Sequence, residues 1–102
     1  MKGDQMAFYL VADIEVTDPE LYEEYRAKVA PVIEKFGGRY VVRGGEVTAG
    51  EGGWEPQRVV ILEFPSKEVA NAWATSDDYA PVADIRHRAA KSRSFGVEGY
   101  LP

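Results

Sequence analysis

The chain has no cysteine and a single histidine among its 102 residues. The first absence excludes disulfides, thiolate metal sites and a cysteine nucleophile. The second excludes a poly-histidine metal cage within one chain. Basic residues are also few: 12 Lys and Arg stand against 17 Asp and Glu, for a formal net charge of −5. That balance speaks against nucleic acid as a partner, because such binding draws its affinity from clustered Lys and Arg. No apolar run approaches the roughly 20 residues that cross a bilayer, so no membrane partner is expected either. Met1-Lys2-Gly3-Asp4-Gln5 carries an acid and leads into no signal-peptide pattern. A cytoplasmic location is the expectation, with Met1 and Met6 both open as the start. There is no phosphate loop, nucleophile elbow or paired-histidine motif, so neither a metal nor a cofactor is expected. Hydrophobic residues at 45% and charged residues at 28% suit one folded domain over 1–102.

Residues 7–16 alternate, with Phe8, Leu10, Ala12, Ile14 and Val16 on one face and Tyr9, Val11, Asp13 and Glu15 on the other. Period two over ten residues reads as a strand. Thr17-Asp18-Pro19-Glu20 starts a helix, capped by either Thr17 or Asp18. Leu21, Tyr22, Tyr25, Val29, Val32, Ile33 and Phe36 carry its apolar stripe, Pro31 predicts a kink or a thin last turn, and Gly37-Gly38 stops it. Residues 39–42 read as a second strand, and Arg43-Gly44-Gly45 as a bulge or a close backbone approach. Residues 46–49 are expected to continue that strand, and 57–64 to return as the other arm of a long hairpin. Ser66 caps a short helix with Val69, Ala70, Trp73 and Ala74 inward. Ser76-Asp77-Asp78 interrupts it, Tyr79, Val82, Ile85 and Ala89 form another, and residues 92–98 make the last strand.

Strand, helix, strand, strand, helix, strand is the α+β ferredoxin-like β-α-β-β-α-β plait. Its sheet has one face under the helices and one open. The open face is expected to mix apolar Tyr9, Val11, Val41 and Ile61 with charged Asp13 and Glu63. A homodimer joined through that face is the simplest way to cover it.

Several ordered features carry a family resemblance: Arg43-Gly44-Gly45, Trp54-x-Pro56-x-Arg58, Glu63-Phe64-Pro65-Ser66, Trp73, Ser76-x-x-Tyr79 and Ile85-Arg86. Together with the Thr17–Glu20 helix start, Tyr22 and Tyr25, they resemble domain of unknown function family 1330, small bacterial proteins of the dimeric α/β-barrel superfamily. The resemblance runs from about Phe8 to Gly99 and implies the plait and a dimer, with no established activity. The superfamily also holds cofactor-free monooxygenases acting on phenolic polycycles, haem-degrading enzymes and muconolactone isomerases. His87 does not match the haem ligand position. Trp73 and Tyr79 are similar in type and spacing to a pocket-lining pair of the monooxygenases.

Asp13 and Glu63 are the candidate catalytic pair, since two carboxylates in a partly apolar enclosure can be driven to different proton affinities. Ion pairs with Arg39, Arg43 or Arg93 are the alternative. Arg43 offers a planar fork for a carboxylate or enolate, with glycines beside it, or a structural salt bridge. Arg58 and Arg86 share that ambiguity, and Arg86 is placed near a pocket mouth. Trp73 and Tyr79 form an aromatic wall if the Ser76–Asp78 break lets them converge. In one unbroken helix they would point about 240° apart. His87 reads as a solvated helix residue, and Trp54 as a cap on the dimer edge. The reading that follows is a pocket in each subunit for a small acidic or phenolic metabolite. Arg43 and Arg86 hold its charge, Trp73 and Tyr79 stack on it, and Asp13 or Glu63 accepts a proton if a reaction occurs. A non-catalytic dimeric scaffold or stress-related binding module, and a cofactor-free monooxygenase or isomerase, are the alternatives.

Overall fold

A computed structural model describes residues 6–101. Met1–Gln5, on which the reading of the amino terminus rests, and Pro102 lie outside the described residues. The elements are β1 (Phe8–Val16), α1 (Pro19–Lys35), β2 (Arg39–Arg43), β3 (Val59–Phe64), α2 (Lys67–Ala74), α3 (Ala80–Ala89) and β4 (Ala90–Glu98). The strands form one antiparallel sheet in the order β2-β3-β1-β4. This is the plait expected from the element order.

Local chemistry explains the boundaries. Asp18, not Thr17, caps α1: its carboxylate accepts from the Leu21 backbone N–H, and Pro19 takes the first helical position. The helix runs through Pro31 as one element. It closes with a Schellman motif, Gly38 N–H to Ile33 C=O at 3.0 Å and Gly37 N–H to Glu34 C=O at 2.9 Å, with Gly37 at φ 79°. Ser66 caps α2 through Val69 N–H. Ser76 Oγ accepts from Tyr79 N–H and donates to Trp73 C=O, which ends α2 and turns the chain into α3.

Three expectations need correction. The register irregularity lies between Tyr40 and Val42, ahead of Arg43-Gly44-Gly45. Residues 46–49 are not strand; residues 44–58 form one irregular connection, rich in Gly, Glu and Pro, which supply little to a ladder. Ala74 is exposed, because α2 presents only Ala70 and Trp73 squarely to the interior.

The core lies between the helices and one sheet face. Phe8 and Ile14 of β1 and Leu62 and Phe64 of β3 meet Tyr22, Tyr25, Val29 and Ile33 of α1 and Val82, Ile85 and Ala89 of α3. Phe64 is wholly buried and packs on Trp73 at 5.2 Å between ring centroids. Truncation there would cost about 3–5 kcal/mol. The opposite sheet face carries Val11 beside Phe95 and Tyr9 beside Val97, and Phe95 and Val97 are half exposed. No helix among the described residues is long and apolar enough to cross a membrane.

Candidate functional site

The core is not filled everywhere. In the middle of β4 the helix-facing residues are Ser92, Ser94 and Gly96, in register with Ile14, Ala12 and Leu10 of β1. These short side chains leave a cavity of about 130 Å³ between sheet and helices. Arg26, Arg43, Arg58 and Arg86 all reach it, with Tyr22, Tyr25, Tyr40, Tyr79 and Trp73. No carboxylate lines it. In a chain with a net charge of −5, that is a marked local reversal of sign.

The bulge in β2 sets up one end. It turns Tyr40 and Arg43 to the helix side, where they pair with Leu62 and Val60 of β3. The Arg43 guanidinium lies 4.7 Å from the centroid of the Tyr40 ring, and the Arg58 guanidinium 5.3 Å from that of Tyr22. Each cation rests on an aromatic face, the favourable geometry for a guanidinium. Gly44 lies at φ 71°, and a Cβ there would stand 2.6 Å from the Arg58 Cζ. The positive φ favours glycine here, and any side chain would push the Arg58 guanidinium aside. Burial pushes the Tyr40 hydroxyl above the usual tyrosine range, against the opposing pull of Arg43.

The other end is built from α2, α3 and β4. Trp73 and Tyr79 stack at 4.1 Å between centroids. Tyr79 Oη lies 3.5 Å from Tyr25 Oη and accepts from Arg86 Nε at 3.4 Å. Arg86 Nη1 donates to Ser92 Oγ at 2.8 Å. Burial, reinforced by Tyr79, holds the Tyr25 hydroxyl protonated far above the ordinary range. Burial disfavours the Arg86 charge, but the neighbouring tyrosines outweigh it and the group stays cationic. Among the described residues Arg26 pairs with Glu23 at 2.6 Å, whereas Arg43, Arg58 and Arg86 have no carboxylate partner.

Arg43, Trp73, Tyr79 and Arg86 thus meet around one cavity. Asp13 and Glu63 do not join them. They alternate with the cavity-lining Ala12, Ile14 and Leu62 and so point to the open face. Nor do they meet each other: Glu63 stands opposite Tyr9, Asp13 opposite Val59, four residues or about 13 Å along the strand. Glu63 accepts from Tyr9 Oη at 2.7 Å and Arg39 Nε at 2.6 Å. The Tyr9 bond, then Arg39, holds its carboxyl below the usual range against partial burial. Asp13 accepts from Gln57 N–H at 3.0 Å and faces Arg93 at 3.9 Å. A proton transfer from a ligand on Arg43 and Arg86 to either carboxylate is incompatible with this placement. Asp13 lines instead a shallow groove of about 460 Å³ on the open face, with Trp54, Pro56, Arg93 and Phe95. His87 is exposed and touches Arg86.

Sequence reasoning left Arg58 ambiguous and did not place Arg26, Tyr22, Tyr25, Tyr40 or Ser92 at the site. The tyrosines of α1 fall on its apolar stripe and read as ordinary core. One signal was present: Gly44 and Arg58 flank the same irregular connection.

An antiparallel sheet backed on one face by helices is the ferredoxin-like fold, shared with a putative antibiotic biosynthesis monooxygenase from Caulobacter crescentus at 14% identity and TM-score 0.60, over 94% of this chain and 92% of that one. Within it, the chain belongs to the family described as Domain of unknown function (DUF1330), matched over residues 7–100. It is similar to the RPA0582 protein of unknown function from Rhodopseudomonas palustris, at 20% identity and TM-score 0.78, over 96% of this chain and 85% of that one. SnoaB, a cofactor-independent oxygenase from Streptomyces nogalater, shares the fold at 10% identity and TM-score 0.63, over 96% of each chain. So does a dimeric ferredoxin-like protein of unknown function from Thermobifida fusca, at 10% identity and TM-score 0.59, over 94% of this chain and 93% of that one. No curated protein matches the chain.

Proposed function

We propose that the protein is a cytoplasmic homodimer in which each chain binds one small acidic or phenolic molecule in the cavity between sheet and helices. One observation carries the reading: Arg43, Arg58 and Arg86 line an acid-free cavity without a carboxylate partner among the described residues. Arg58 and Arg86 are half-buried and Arg43 is exposed; guanidinium forks left without a carboxylate suit an anionic ligand. Arg43 and Arg86 hold its charge, and Trp73 and Tyr79 supply the aromatic wall. At about 130 Å³ the cavity is below the usual range for drug-sized ligands, which points to a molecule of one ring or less. The open sheet face, with Phe95, Val97 and Trp54 half exposed, joins the two chains. The dimeric Thermobifida fusca neighbour supports that arrangement. In this reading Asp13 and Glu63 belong to the interface, paired with Arg93 and Arg39.

The test is native mass spectrometry of gently purified protein, followed by titration calorimetry with benzoate. A dimer that binds benzoate, and whose Arg43→Ala variant stays dimeric but binds it at least about tenfold more weakly, is the expected result. Unchanged affinity in the variant removes Arg43 from the site. A second reading, turnover of the bound phenol by a cofactor-free monooxygenase or isomerase, is favoured by the Trp73–Tyr79 pair in the cavity wall. Oxygen uptake and product analysis with the co-purified ligand decide it.

A further inference from the structure

We infer that the cavity selects a ligand with an oxygen function at each of two ends, and that a single-ring hydroxy-carboxylic acid is the class it takes. The inference rests on the reading of the cavity as a small-anion site and deepens it. The cationic groups fall into two sets. Arg43 and Arg58 stand over β2 and β3, each laid on its own tyrosine ring. Arg86 stands over β4, tied to Ser92 and Tyr79. Arg58 C=O accepts from Ile14 N–H, and Ile14 is in register with Ser92, so the backbone positions that carry the two ends are two strand spacings apart, about 10 Å.

Each end also holds a buried donor without an acceptor. The described side chains contain three buried nitrogens lacking any partner: Arg26 Nε, Arg58 Nε and Trp73 Nε1. All three residues line this cavity. Arg58 Nε belongs to the first end, and Trp73, stacked on Tyr79 and 4% exposed, to the second. Leaving such donors unmatched is costly, and none of the three can accept. These three atoms are closed off, so a ligand in the cavity meets the arginine side chains through their terminal nitrogens and Tyr79 through its Oη, at two places.

The two ends differ in kind. At the first, two guanidinium forks converge on one region, and Gly44 keeps the space Arg58 needs. Paired forks match the planar, bidentate geometry of a carboxylate. At the second, Tyr79 Oη accepts from Arg86 and can still donate or accept once more. That suits a hydroxyl, phenol or enol oxygen. Tyr22, Tyr25 and Trp73 line the same cavity and offer faces for a flat ring.

The experiment is calorimetry on the purified full-length protein with benzoate, phenol and 4-hydroxybenzoate as probes. We expect 4-hydroxybenzoate to bind at least about tenfold tighter than benzoate, with phenol weakest. In Tyr79→Phe the advantage of 4-hydroxybenzoate over benzoate should fall to about twofold or less. In Arg58→Lys, which keeps the charge and loses the fork, both acids should weaken at least about tenfold and phenol should not. Equal binding of benzoate and 4-hydroxybenzoate to the wild type overturns the two-ended site and leaves the small-anion reading standing. An advantage that survives in Tyr79→Phe also overturns it. Failure of all three probes to bind the wild type overturns both. Should Arg58→Lys not fold, the wild-type series and Tyr79→Phe decide the matter alone.

Discussion

Trp73 lies against Tyr79 at 4.1 Å between ring centroids although six residues separate them in sequence. An unbroken helix would turn the two about 240° apart. The break at 75–79, fixed by the two hydrogen bonds of Ser76 Oγ, folds α3 back so that both rings enter one layer. Removal of the indole should therefore strike the core and the cavity wall together. Trp73→Ala is expected to lose about 3–5 kcal/mol of stability by urea denaturation. A loss below about 1 kcal/mol would place Trp73 at the margin of the core.

Gly44 is the residue that no side chain can replace without displacing a cation. Gly44→Ala meets both the positive φ and the Arg58 guanidinium. The left-handed backbone alone costs about 1–2 kcal/mol. The variant should melt lower than wild type and bind benzoate more weakly, whereas Gly45→Ala, with open space at its Cβ, should match wild type in affinity. Calorimetry and thermal melts on the two variants make the comparison.

Glu63 gives a pH prediction whose sign is fixed. Its folded-state affinity for a proton is lowered by Tyr9 and Arg39. The stability it contributes is fully present above the unfolded carboxylate value of about 4.3 and is lost as pH falls through the lower folded value. Glu63→Gln should flatten that part of the acid limb. The effect should be no more than about 1 kcal/mol, given that Arg39 is largely exposed. Urea midpoints between pH 3 and 6 would test this; a limb as steep in the variant as in wild type would rule it out.

The interface prediction is independent of the cavity. Phe95→Asp places a charge on the apolar stretch of the open face, beside Val11. It should give a monomer by analytical ultracentrifugation with an unchanged far-ultraviolet spectrum. A persistent dimer would mean that the chains meet elsewhere.

The plait was legible because its signals are local. Alternation in β1, a proline and an acid at the head of α1, two glycines at its foot and Ser66 before α2 each specify one boundary. The convergence of Arg43, Trp73, Tyr79 and Arg86 was partly legible, since each falls at a break or an edge of its element. Arg58 and the tyrosines of α1 were not. Whether Tyr22 and Tyr25 fill core or border a void depends on Ser92, Ser94 and Gly96, far along the chain, being small. The separation of Asp13 from Glu63 was hidden for a related reason. Strand parity sets the face, but only the register, with Glu63 opposite Tyr9, sets the distance.

Residues 44–58 touch both sides of the sheet: Arg58, with Gly44 against its guanidinium, borders the cavity, while Trp54, Pro56 and Gln57 meet Asp13 and the open face. One short stretch of chain thus answers to two masters. A change that reshapes the cavity through it would be felt on the open face as well, and the reverse. For anyone seeking to retune the protein, Ser92 on the helix-facing side is the more local handle, since it lines the cavity and not the groove, and its hydroxyl receives Arg86.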